Sequence, residues 1–294
     1  MKKKINKSAL VVEGGGMRSV FSAGVLHAFG EQGFDPFDLY IGVSAGACNL
    51  ASHLAGQNDR NYDIIASYSS TPNFINLKKF LLGGHYMDLD WLWDVTIREY
   101  RLELKKLFKK LRTEKKEYIV VATSVETGRA LYLKPDEHTL EHFLKVSSSL
   151  PILYRNILKV NSEEATDGGI ADSIPVIEAY RRGATDITVI RSRPPHYVKK
   201  KTRIAPVFSL FFKEHPLLVE AFKRRSDAYG ESVAFIQNPP AGVRVFEIAP
   251  PGDTGVSRAT RDIHLLNAVY QLGIDHGKNF IARYQIETSP PFVS

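Results

Sequence analysis

The sequence predicts an α/β fold with three layers, α/β/α, around a mainly parallel central sheet. Three observations predict it. Short continuous apolar runs at 9–12, 39–43 and 187–191 read as strands buried on both faces. Helical spacing follows the first two runs, giving the order β-α-β-α. Apolar residues make up 44% of the 294-residue chain and charged residues 24%, enough for a real core in one large α/β body or two domains.

The elements follow in order. The strand 9–12 runs into Gly14-Gly15-Gly16. A helix at 20–29 carries Val20, Phe21, Gly24, Val25 and Ala28 on one face, and Gly30 or Gly33 ends it. The strand 39–43 leads into a helix at 45–54. Residues 56–100 are irregular, with an aromatic segment from Phe74 to Trp93 that suits an acyl-chain pocket, a lid or plain core packing. Strands are predicted at 118–124 and 130–134, joined through Thr127-Gly128, then a helix at 140–146 and a strand near 157–160. Residues 165–172 read as a loop, and 174–182 as a helix with Pro175 in its first turn. After the strand 187–191 come Arg193-Pro194-Pro195 and a basic run, then a helix near 217–236, a strand at 243–248 and a helix near 264–284. Residues 8–191 form the expected core. Residues 192–294 are expected to be an α/β extension packed on the same body.

Lys and Arg number 39 and Asp and Glu 32, a net charge of +7 that mildly favours acidic partners. No recognition-module motif accompanies that charge, so nucleic acid is not an expected partner. The single cysteine, Cys48, excludes an intramolecular disulfide and points to a reducing compartment. It reads as a small buried packing residue. Residues 1–7 are basic, but the apolar run behind them is too short for a signal peptide, and no stretch is long enough to span a bilayer. The expected location is cytoplasmic.

Gly42-Val43-Ser44-Ala45-Gly46 is a G-x-S-x-G pentapeptide between a strand and a helix, the setting that exposes a nucleophilic serine above a sheet. Gly42 and Gly46 remove side chains where the turn crowds, and the helix start favours negative charge near Ser44. In an acyl-transfer site, the amides of Gly14, Gly15, Gly16 and Ala45 would form the oxyanion hole. A dinucleotide fingerprint fits less well, because Ser19 replaces its last glycine and the acids about 20 residues on, Asp35 and Asp38, fall before the second strand. The base that would activate Ser44 is open on spacing alone. His196, His215, His264 and His276 are available without a distinctive setting. Asp167, in Thr166-Asp167-Gly168-Gly169, is the alternative, although an Asp-Gly pair is commonly just a turn.

Gly14-Gly15-Gly16-Met17-Arg18, the Ser44 pentapeptide and Asp167-Gly168-Gly169, in this order, resemble the patatin-like phospholipase family. Val146-Ser147-Ser148-Ser149-Leu150-Pro151 and Ile174-Pro175-Val176 are similar to further segments of that family. The likeness covers roughly residues 8–190, with Ser19 as a departure from the glycine many members carry. The resemblance implies a Ser44–Asp167 dyad without histidine, an oxyanion hole built by the glycine segment with its arginine, no metal and no cofactor. Arg18 would brace that loop or meet a lipid phosphate. Burial should raise the Asp167 pKa toward a working base. The expected substrate is a lipid or other acyl ester. A catalytically weak or silent lipid-binding protein on the same fold is the alternative.

His138-Thr139-Leu140-Glu141-His142 matches an inverted zinc-peptidase pattern, but Leu140, Phe143 and Leu144 face the core and leave the histidines on a solvated face. Lys199-Lys200-Lys201-Thr202-Arg203 beside the apolar stretch 206–212 suits peripheral contact with an anionic membrane face, or an ordinary surface loop.

Overall fold

The computed structural model describes residues 7–201 and 204–288. The basic residues 1–6, and Thr202 and Arg203 of the basic run, lie outside them. One eight-stranded sheet organises the chain. Its strands are β1 (Lys7–Val12), β2 (Leu39–Val43), β3 (Glu117–Ser124), β4 (Ala130–Leu133), β5 (Leu158–Val160), β6 (Glu163–Asp167), β7 (Ala184–Ile190) and β8 (Arg244–Ile248). The order across the sheet is β5-β6-β3-β2-β1-β7-β8, with β4 also paired to β3. The strands β3, β2, β1, β7 and β8 run parallel. The strands β4 and β6 pair antiparallel to β3, and β5 antiparallel to β6. The fold is therefore mixed α/β with mostly parallel strands between helical layers.

Alternation along the central strands explains the three layers. Leu10, Val12, Tyr40, Tyr118 and Val120 enter one core with the helices Val20–Glu31, Ala45–Leu54, Leu140–Ser148 and Ile263–Thr288. Ala9, Val11, Ile41, Ile119, Val121 and Val189 point into a second core under the helices Val176–Arg181 and Pro216–Gln237. A strand with both faces covered reads as a continuous apolar run, which is why these elements are legible in sequence.

The helix Ile263–Thr288 packs along Val20–Glu31 at backbone contact distance. A Cβ on Gly24 would lie 2.1 Å from the Tyr270 carbonyl oxygen, and one on Gly273 would lie 2.2 Å from that of Phe21. Glycine at both positions is what lets the two helices approach.

Several expectations need correcting. The segment read as a loop at 165–172 begins as strand: Glu163–Asp167 pairs with β3 in the register Ala122↔Asp167. The first helix runs to Glu31, so Gly30 is inside it, and Gly33, at φ +60°, follows its end. The helix Leu104–Thr113, absent from the predicted elements, buries Leu107, Phe108 and Leu111. The irregular region contains the helices Arg60–Ile64, Leu77–Leu81 and Leu89–Glu99.

Candidate active site

The topology gathers the three motifs. Strands β1 and β2 are parallel neighbours in the register Val12↔Gly42, so the loop after β1 and the turn after β2 emerge side by side. Strand β3 lies beside β2 with Val43↔Val121, and β6 returns along β3 to end at Asp167. Gly14–Gly16, Ser44 and Asp167 thus meet at the carboxyl end of the parallel strands, where α/β sheets bind ligands. All of them line one cavity of about 380 Å³.

Ser44 sits at φ 53° and ψ −130°, a conformation rare for a residue with a side chain. Neighbouring groups hold it there. The Ser44 N–H donates to the Ser147 hydroxyl at 2.7 Å, and that hydroxyl donates to the Val121 carbonyl at 2.6 Å. Gly46 lies so close to β1 that a Cβ would be 2.6 Å from the Glu13 carbonyl oxygen. The turn is fixed by sheet, helix and serine segment together.

Asp167 is buried, and its Oδ1 accepts the Gly169 N–H at 2.8 Å. Desolvation raises its pKa above the usual carboxylate value. Smaller opposing effects come from the Gly169 N–H, the charge of Arg258, the nearby Ser44 side chain, and the charge of Arg225. The serine-rich segment positions this residue too: the Ser149 carbonyl accepts from the Asp167 N–H at 3.3 Å and from the Thr166 hydroxyl at 2.6 Å.

Gly16 adopts φ +58° and starts a short 3-10 turn, Gly16–Ser19, while the Met17 N–H donates to the Arg258 carbonyl at 3.2 Å. Among the described residues the amides of Gly15, Gly16 and Ala45 have no hydrogen-bond acceptor. Arg18 is buried on the cavity wall, and burial, reinforced by the charges of Arg258 and Arg193, lowers its pKa to about 10.

Glu13 is a site residue that sequence reasoning missed. It is buried, its N–H donates to the Ile190 carbonyl at 3.0 Å, and its carboxylate accepts the Ser192 N–H at 2.7 Å. It thereby ties the glycine loop to the end of β7. A charged residue closing an apolar strand just before three glycines was the available signal.

Other predicted features fall away from Ser44 or change role. Cys48 is half-buried: it packs against the main core, as expected, and also lines the cavity, with its sulfur 3.9 Å from the Ser148 hydroxyl. Desolvation raises its pKa, so its thiol stays protonated. His142 is exposed, with its ring Nε2 2.6 Å from the Lys159 carbonyl oxygen, while Glu141 takes the Trp93 indole N–H on its carbonyl at 3.0 Å. Among the described residues the group close enough to share a metal is His85, Asp88 and Asp90. Lys79 already pairs with Asp88, and Lys145 with Asp90 at 2.6 Å. In the aromatic segment, Phe74, Leu89 and Leu92 both enter the core and line the cavity.

A mostly parallel sheet between helical layers, with a strained serine turn at its carboxyl edge, defines a mixed α/β protein with its candidate site above the sheet. The particular family follows from comparison: a model of the patatin-like phospholipase family matches residues 10–180, and the chain belongs to that family. A domain of unknown function, DUF6363, matches residues 215–286. Across 280 residues the chain is 34% identical to the uncharacterized protein YjjU of Escherichia coli K12, covering 93% of this chain and 77% of that one. It is 25% identical to the lysophospholipase NTE1 of Kluyveromyces lactis over 96% of this chain, which spans only 20% of that protein's length. Among solved structures, VipD from Legionella pneumophila aligns with a TM-score of 0.47 at 14% identity, covering 95% of this chain and 67% of that one. Family membership supports lipid acyl hydrolase activity in general.

Proposed function

We propose that the protein hydrolyses acyl esters of lipids, phospholipids or lysophospholipids among them, with Ser44 as nucleophile and Asp167 as general base. The observation that carries this reading is the strained Ser44 lining one cavity with the buried Asp167 carboxylate, beside unpaired backbone amides. Asp167 takes the hydroxyl proton as Ser44 Oγ attacks the ester carbonyl. The amides of Gly15, Gly16 and Ala45 receive the oxyanion, each donor contributing about 3–4 kcal/mol in comparable sites. Gly14 lets the loop approach the elbow: a Cβ there would lie 2.9 Å from the Val43 carbonyl oxygen. The proton returns to the departing alcohol. A water activated by Asp167 then cleaves the acyl-serine ester and restores the hydroxyl. This chemistry uses only the chain's own groups.

The same reading takes residues 8–191 as the catalytic core and residues 192–294 as an extension on the same body. The pairing of β8 with β7 supports it. It takes the protein as cytoplasmic and peripheral to a membrane face. The helix Ala205–Phe211 exposes Leu210 and Phe211 at 73% and 63%, near Lys199–Lys201. Among the described residues no helix is long and apolar enough to cross a bilayer.

The test is direct. Ser44→Ala and Asp167→Asn should each abolish hydrolysis of a short p-nitrophenyl ester with circular dichroism unchanged. Substantial activity left in either variant would remove the dyad.

A further inference from the structure

The cavity beside Ser44 has two unlike walls. Ile64, Phe74, Leu89, Leu92, Trp93 and Leu144 supply an apolar one. Arg18, Arg193, Lys199, Arg225 and Arg258 supply the other. These five cations outnumber the acids beside them. The carboxylates lining that side are Glu13, which takes the Ser192 N–H, and Asp167, which takes the Gly169 N–H.

Three of the cations contact neutral groups instead. Lys199 Nζ donates to the Ser173 hydroxyl at 2.9 Å and lies 4.6 Å from the centre of the Tyr229 ring. Arg193 stacks at 4.5 Å over Tyr197, and Arg225 at 5.2 Å over Phe222. Arg18 and Arg225 are only 7% and 9% exposed, and their Nε atoms have no hydrogen-bond partner among the described residues. None of the five makes an ion pair among those residues. Burying cations beside one another without a partner is costly, and a protein that does so is built to receive an anion. Burial first, and then their mutual charges, depress the pKa values of Arg18, Lys199 and Arg225.

We infer that this wall is a phosphate subsite that selects lipid esters whose headgroup carries net negative charge, such as a lysophospholipid ending in a phosphate monoester, over zwitterionic or uncharged ones. Four of the five cations lie beyond the 10–180 match, and Arg225 and Arg258 fall within the domain of unknown function at 215–286. That domain thereby acquires a role: it completes the headgroup side of a site whose nucleophile belongs to the core. The apolar wall takes the acyl chain, and the ester lies between at Ser44. The placement of the ester rests on the acyl-hydrolase reading above. The selection of charge does not.

A binding titration with non-hydrolysable ether lipids of one chain length separates the two. A 1-O-alkyl glycerol phosphate should bind about tenfold or more tightly than its phosphocholine counterpart or the uncharged alkylglycerol, as charge-assisted hydrogen bonds predict. Arg225→Gln and Lys199→Met should each shrink that preference at least severalfold. Equal affinity for the three lipids would overturn the proposal. So would inorganic phosphate alone binding as tightly as the phosphate lipid, since the site would then serve the free anion. Turnover of the corresponding esters is read separately. Selective binding without turnover would count against the hydrolase and leave the phosphate subsite standing.

Discussion

Ser147 holds Ser44 in place: the Ser44 backbone N–H donates to the Ser147 hydroxyl at 2.7 Å. Because that hydroxyl in turn donates a hydrogen bond to the Val121 carbonyl at 2.6 Å, one side chain joins the helix Leu140–Ser148 to the Ser44 turn and to β3. Ser147→Ala leaves both backbone groups buried and unpaired, at about 1–3 kcal/mol for each. We expect a lowered urea midpoint. We also expect kcat to fall by about tenfold to a hundredfold with a smaller change in KM, since small displacements of a nucleophile are costly. A variant with unchanged kcat would show that the elbow holds its shape without this bond.

Burial raises the Asp167 pKa, and that fixes the sign of two pH effects. If Asp167 is the base, kcat/KM falls as pH drops through its pKa, and the midpoint of that acid limb lies above the ordinary carboxylate value of 3.8. Stability moves the other way. The folded state holds this proton more tightly than the unfolded chain, so the stabilising contribution is present at low pH and is lost as pH rises through the folded pKa. Asp167→Asn, which keeps an oxygen for the Gly169 N–H, should therefore melt no lower than the wild type at pH 7. A marked loss of melting temperature would contradict this sign.

His53 is buried and its pKa is lowered to about 4 from an ordinary 6.5, chiefly by desolvation. The unfolded chain gains this proton from about pH 6.5 downward while the folded chain refuses it until about pH 4. Stability falls across that window, by up to about 3 kcal/mol from this group alone. His53→Leu should narrow the difference in melting temperature between pH 7 and pH 4.5, whatever its absolute stability. An unchanged difference would assign the acid sensitivity to other groups.

Peripheral docking makes a salt-dependent prediction. Leu210 and Phe211 are exposed and follow a run of lysines in the sequence, so co-sedimentation with anionic liposomes should be strong at low salt and weaken in high salt. Leu210→Asp with Phe211→Asp should abolish it. No co-sedimentation at low salt would rule the contact out.

Much of the fold was legible because it is local. Continuous apolar runs marked β1, β2, β3 and β7, and the helical pattern after Ser44 marked the helix Ala45–Leu54. Strand β6 escaped because Glu163-Glu164-Ala165-Thr166-Asp167 is largely polar, and only its antiparallel partner β3 makes it a strand. The motifs gave Ser44 and Asp167, but not what holds them. Ser147 lies 103 residues from Ser44. Ser192 is 179 residues from Glu13. The cationic wall joins Arg18 to residues near the other end of the chain, a proximity that only the sheet order creates.

The central claim is that Ser44 is a nucleophile activated by Asp167. Its most direct test is labelling with a fluorophosphonate, followed by peptide mapping of the modified residue. The expected result is a single stoichiometric adduct on Ser44, formed quickly by the wild type and far more slowly by Asp167→Asn. An unlabelled Ser44 in folded protein, or equal labelling rates in the two, would contradict it and favour a lipid-binding protein without catalysis.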